Sequence, residues 1–149
     1  MLQIGTKSPL FEGIDQDEKT HTLSQYQGSW VLLYFYPRDS TPGCTEEACL
    51  LRDNYSDFEA MNTVVIGVSP DSVHSHSRFA IRHELPFTLI SDTEKNIITD
   101  YGADGDMKRI SYLIDPKGMI AKVYPSVKPA KHAQEVLDDL TQLQLQTTT

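Results

Sequence analysis

The stretch YFYPRDSTPGCTEEACLLRD, residues 34–53, decides how this chain folds, and it holds both of its cysteines, Cys44 and Cys49. It begins inside WVLLYFY (30–36), a continuous apolar, aromatic and branched run that reads as a strand buried on both faces and ended by Pro37. Thr41-Pro42-Gly43-Cys44 then reads as a helix start. Thr41 is the N-cap, Pro42 the first helical residue, and Cys44 falls in the first turn. Beyond it the sequence keeps a helical period, with Ala48, Leu51, Tyr55 and Phe58 on one apolar stripe.

Working outward, TVVIGVS (63–69) reads as a second buried strand, and DSVHSHSRFAIRHE as a helix capped by Asp71 or Ser72. PFTLISD contributes a short strand, and TEKNIITDYG a short helix closed by Gly102. ISYLID (110–115), a PKG turn and MIAKVY form a β-hairpin. AKHAQEVLDDLTQL closes the pattern as an amphipathic helix, followed by a polar tail expected to fray from about residue 143. The order β-α-β-α, hairpin, helix predicts an α/β domain over 1–149, a central mixed β-sheet flanked by helices on both faces. It is the element order of the thioredoxin-like fold, and that order alone also fits other α/β sandwiches.

Thirteen basic against twenty-one acidic residues leave a net charge of −8, which repels a phosphate backbone and argues against a nucleic-acid partner. No apolar run is long enough to span a membrane, and LQIGTKSPLF lacks the basic head and apolar middle of a signal peptide. A cytoplasmic location is the expectation. Two cysteines are too few for a disulfide scaffold. His21, His74, His76, His83 and His132 are scattered and are expected at the surface rather than as ligands, so no metal or organic cofactor is expected. Redox chemistry remains.

The first-turn N–H groups of a helix lack intrahelical partners and carry the positive end of its dipole, so a thiolate placed there is stabilised. A free cysteine, pKa ~8.5, is only about 3% thiolate at pH 7; one lowered to ~6 is about 90% thiolate. Glu46 and Glu47 oppose an anion at Cys44 and call for a compensating cation. The bland alternative is a buried thiol serving as a small apolar residue, the commonest role of cysteine. Cys49 lies five residues on, a rotation of about 140° and a rise of ~7.5 Å. The two Cα atoms are then roughly 8 to 9 Å apart, beyond the ~7 Å a disulfide tolerates, so the pair cannot bond while the helix is intact. Cys49 falls with Thr45, Arg52 and Ser56 on a polar face, where an incidental surface thiol is the competing reading.

These residues also carry a resemblance. Pro37-x-x-x-Thr41-x-x-Cys44 matches the PxxxTxxC signature of peroxiredoxins, and YFYPRDSTPGCTEEAC resembles their bacterioferritin comigratory protein (PrxQ) branch. NTVVIGVSPDSV, PFTLISDTE and KRISYLIDPKG extend the likeness over most of residues 1–140. The resemblance implies a thiol peroxidase acting on hydrogen peroxide and organic hydroperoxides. In it Cys44 attacks the peroxide, Thr41 hydrogen-bonds it, Pro37 shields the pocket, Arg109 flanks the thiolate and Glu47 orients Arg109. It further implies that Cys49 resolves the Cys44 sulfenic acid as an intramolecular disulfide, which thioredoxin or a similar dithiol reduces, in a protein that acts as a monomer. The connection Ala103–Lys108 is shorter than in many members, so neither substrate access nor a dimer surface there follows from the resemblance. Two other readings compete. A thioredoxin-like disulfide oxidoreductase lacks its CxxC spacing here, and a non-catalytic holdase or interaction protein would be indifferent to both cysteines.

Overall fold

Trp30 to Tyr36 are buried without exception, and their side chains alternate between two cores as a period-2 strand requires. Trp30, Leu32, Tyr34 and Tyr36 face one core; Val31, Leu33 and Phe35 face the other. Each fully buried leucine here contributes about 1.5–3 kcal/mol of apolar transfer. The computed structural model describes residues 2–104 and 109–147.

Seven strands form one sheet: β1 (Glu12–Asp15), β2 (Thr20–Thr22), β3 (Trp30–Phe35), β4 (Thr63–Ser69), β5 (Thr88–Ser91), β6 (Ile110–Ile114) and β7 (Ile120–Tyr124), in the order β2-β1-β5-β4-β3-β6-β7. β3, β4 and β5 are mutually parallel, whereas β1, β6 and β7 run antiparallel to their neighbours. The helices are α1 (Pro42–Asp53), α2 (Tyr55–Ala60), α3 (Val73–His83), α4 (Asn96–Asp100) and α5 (His132–Thr147). Cys44, Ala48 and Leu51 of α1, Phe58 of α2, Phe79 of α3 and Val136 of α5 pack on one face of the sheet; Ile97 and Ile98 of α4 pack on the other. The central mixed sheet with helices on both faces, predicted from the sequence, is the observed fold. No described helix is long and apolar enough to cross a membrane.

Several elements differ from the sequence reading. The β1–β2 hairpin, on the free edge of β5, was not foreseen; strands of four and three residues are too short to display an alternating pattern. The long helix after Cys44 is interrupted at Asn54, whose side-chain amide donates to the Leu50 carbonyl at 2.8 Å and competes with helical continuation. α5 runs through Thr147, past the start of the expected fraying. Of the short Ala103–Lys108 connection, residues 105–108 lie outside the described residues. His76 and His132 are not surface residues: they are 0% and 1% exposed. His76 is held between the Asp39 carboxylate and the Ile90 carbonyl, and His132 Nε2 lies 2.9 Å from Ser111 Oγ. Their polar tips are satisfied inside, which a hydropathy pattern does not reveal.

Candidate active site

The carboxyl end of β3, flanked by parallel β4 and antiparallel β6, is where an open α/β sheet presents its chemistry. Pro37 ends the strand, and residues 37–41 carry the chain to α1. Thr41 takes the extended backbone of an N-cap and Pro42 is the first helical residue, as the sequence predicts. The Thr41 hydroxyl does not cap, however. It donates to the Arg38 carbonyl at 3.1 Å, which ties the loop to itself and leaves the first-turn N–H groups without a side-chain partner. Pro37 and Thr41 are both half-buried in this loop.

Cys44, in that first turn, is 1% exposed, and its thiol is free. The cation demanded by the sequence is Arg109. Antiparallel pairing of Phe35 with Ile110 brings the residue just before β6 to the carboxyl end of β3, 65 positions along the chain from Cys44. Arg109 Nη1 donates to Cys44 Sγ at 3.2 Å and to Glu47 Oε1 at 3.4 Å. One guanidinium therefore joins the sulfur to the carboxylate one helical turn later, whose side chain lies on nearly the same helix face. Gly43 is what lets it lie there: a β-carbon at that position would sit 2.6 Å from Arg109 Nη2. Nothing local in the sequence signals the contact of Gly43 with a residue so distant.

Glu47 is 1% exposed, and its Oε2 has no hydrogen-bond partner among the described residues. Burial pushes its carboxyl up to about 7, against the downward pull of the Arg109 charge and hydrogen bond. The folded protein thus holds a proton that the unfolded chain releases near 4.5. This contribution to stability is complete below that value and is lost as pH rises through about 7. Urea unfolding between pH 5 and 8 should show the wild type losing up to roughly 3 kcal/mol that Glu47→Gln does not lose. Parallel pH curves for the two proteins would contradict this.

Cys49 is placed apart from this cluster. It is half-buried in the seam between α1 and the end of α3, its Sγ 3.9 Å from His83 Nδ1, and its thiol is free. Arg52 holds the seam by donating to the His83 carbonyl at 2.7 Å. His83 is a neighbour that the sequence reading did not single out, because contacts between helices leave no trace in local spacing. Of the six residues proposed from sequence, Cys44 and Glu47 are joined through Arg109, Pro37 and Thr41 lie on the loop leading to them, and Cys49 is separate.

One group of side chains among the described residues is close enough to hold a cation. Asp39, Asp71 and His76 have ligand atoms within 4.8 Å of one another. All three are already engaged with protein groups, including both ring nitrogens of His76. A nucleophilic sulfur on a helix start, faced by a donor that is itself braced by a carboxylate, is suited to attack on a polarisable bond whose leaving atom gains charge.

Known proteins resemble this chain over most of its length. Residues 4–123 match the AhpC/TSA family. The chain is 38% identical to a putative peroxiredoxin bcp of Coxiella burnetii, over 93% of this chain and 99% of that one. A cysteine mutant of Xylella fastidiosa PrxQ superposes with a TM-score of 0.92 at 30% identity, covering 95% of this chain and 97% of that one. The bacterioferritin comigratory protein of Xanthomonas campestris, whose structures address alkyl peroxide reduction, superposes with a TM-score of 0.86 at 29% identity, over 89% and 90% of the two chains. The chain belongs to the AhpC/TSA family and is a peroxiredoxin of the Bcp/PrxQ kind, a thiol peroxidase.

Proposed function

We propose that this peroxidase reduces hydrogen peroxide and alkyl hydroperoxides through Cys44, with Cys49 as the resolving thiol and thioredoxin or a similar dithiol as the reductant. The observation that carries the first step is the Arg109 guanidinium, shared between Cys44 Sγ and Glu47 Oε1. The Cys44 thiolate attacks one peroxide oxygen; an S–O bond forms, the O–O bond breaks, and the departing alkoxide or hydroxide takes up a proton. Charge moves from sulfur onto two oxygens, so a donor fixed beside the sulfur favours the transition state over the bound substrate. Thr41 and Pro37 line the approach, the hydroxyl as a hydrogen-bonding group for peroxide and the ring as a shield from water.

The Cys44 sulfenic acid then condenses with the Cys49 thiol, forming an S–S bond and releasing water. An intact α1 keeps the two Cα atoms roughly 8 to 9 Å apart, so its first turns unwind in each cycle. The missing side-chain cap at Thr41 favours that opening, a cap being worth about 1 kcal/mol. A dithiol restores both thiols by exchange. Both cysteines lie in one helix of one chain, so the cycle needs no second subunit, and the protein acts as a monomer. The cytoplasm, where dithiols keep such cysteines reduced, suits a pair of free thiols.

Cys49→Ser tests the assignment. Its first oxidation should proceed at the wild-type rate and leave a Cys44 sulfenic acid that a carbon-acid probe traps, while thioredoxin-supported turnover falls at least about tenfold. Turnover at the wild-type rate would remove Cys49 from the cycle.

A further inference from the structure

The loop between β3 and α1 is anchored from below by a buried polar network that the peroxidase chemistry leaves unused. Its centre is Asp39, 5% exposed. Asp39 Oδ1 accepts from the Tyr36 hydroxyl at 2.6 Å, while Oδ2 accepts from Ser75 Oγ at 2.9 Å and faces His76 Nδ1 at 2.7 Å. The Asp39 N–H donates to Asp71 Oδ2 at 2.8 Å, and the same oxygen accepts from Ser69 Oγ at 2.6 Å. On the far side of the ring, His76 Nε2 donates to the Ile90 carbonyl at 3.0 Å, since a carbonyl can only accept. The network thus reaches from the β3–α1 loop to the end of β4, the first turns of α3 and the end of β5. Both carboxylate oxygens of Asp39 and both ring nitrogens of His76 are engaged, so the loop is fastened at one residue to α3 and the β4–α3 loop, and through His76 to β5.

The next residue is strained. Ser40 has φ 65, a left-handed backbone that costs a non-glycine residue about 1–2 kcal/mol. Such a conformation persists only where its surroundings over-determine it. Here Asp39 is fixed on one side, and on the other Thr41 is tied back to Arg38 and begins α1. Strain therefore sits between the fixed network and the helix start that must unwind.

The geometry points to Asp39 and His76 as positioning residues for the peroxidase cycle, forming a latch that fixes the lower boundary of local unfolding. The latch holds Pro37 to Asp39 in place for peroxide attack, and the chain from Ser40 onward is the part that opens for the disulfide. This rests on the reading in which Cys49 resolves Cys44 by unwinding of α1. Loosening the latch has opposite effects on the two chemical steps. Peroxide attack slows, because Pro37 and Thr41 lose their placement, and an error of about 1 Å near reacting atoms can cost ~10²-fold. Disulfide formation quickens, because opening no longer stops at a fixed post.

Rapid-mixing fluorescence of the buried Trp30, combined with quenched mass analysis, separates the peroxide-dependent first oxidation from the peroxide-independent disulfide step. His76→Leu removes both ring contacts. It should slow the first step by about 10- to 100-fold and speed the second several-fold. His76→Asn, whose amide can still donate to Asp39, should recover most of the first rate. Asp39→Asn, isosteric and milder, covers the case in which His76→Leu does not fold, and should move both rates in the same directions. Variants that melt earlier with both rates unchanged, or with both rates reduced together, would overturn the latch. A wild type that oxidises yet never links Cys44 to Cys49 would instead overturn the underlying resolving step, whatever the variants do.

Discussion

Cys44→Ser should abolish peroxide consumption, lowering the rate by at least about four orders of magnitude, while leaving the fold and its unfolding midpoint nearly unchanged. Sulfur and oxygen differ little in size at this site, and a serine hydroxyl can still accept from Arg109 where Sγ does now, at 3.2 Å. What is lost is the nucleophile: a hydroxyl is not ionised near neutral pH, and no other free thiol reaches this position, Cys49 lying in the seam with α3. Peroxide consumption measured with thioredoxin, with a small dithiol and in a single turnover should fall together. Activity surviving with the small dithiol alone would mean that Cys49 attacks peroxide directly.

The second large effect concerns Arg109. Arg109→Met keeps much of the side-chain volume and removes the donor aimed at the sulfur. Removing one such preorganised donor costs about 10²–10³-fold, and the loss should fall on the second-order rate of Cys44 oxidation rather than on the later disulfide step. Glu47 loses the cation paired with it at the same time. Its carboxyl, already about 7, then rises further, so the variant's stability should go on falling to higher pH than the wild type's. Arg109→Lys should recover only part of the rate, because an ammonium cannot serve Sγ and Oε1 with a rigid fork. Gly43→Ala approaches the same guanidinium from the helix side. The added methyl meets Nη2 at 2.6 Å, and the flexible arginine can withdraw. That variant should be as stable as the wild type, or up to about 1 kcal/mol more stable, yet oxidise up to about a hundredfold more slowly. Stopped-flow oxidation and thermal unfolding of the same preparation decide it. An unaltered oxidation rate would show that the guanidinium does not need its place over Gly43.

Much of this site is legible in the sequence itself. The run 30–36, Pro37 and Thr41-Pro42-Gly43-Cys44 specify a buried strand, a stop and a helix start through local rules, and local rules survive folding. Arg109 and Glu47 were reachable only by resemblance, because the register of β6 against β3 brings Arg109 to the cysteine across 65 residues. The buried state of Glu47 ran against its charge, which on a helix exterior ordinarily means a solvated face. His76 was misread for a related reason. A buried histidine is identified by the acceptors around it, here Asp39 and the Ile90 carbonyl, and neither is near it in sequence. The β1–β2 hairpin escaped because strands of four and three residues owe their existence to the edge of β5 rather than to their own pattern.

In the proposed cycle Cys44 is oxidised first and is then captured by Cys49 through unwinding of α1. The most direct test mixes reduced protein with one equivalent of hydrogen peroxide, quenches early with a thiol blocker, and maps the products by intact mass and peptide analysis. The expected result is loss of two hydrogens and a peptide linking Cys44 to Cys49. Oxygen retained on Cys44 with Cys49 still blockable, or two thiols that remain blockable, would contradict it.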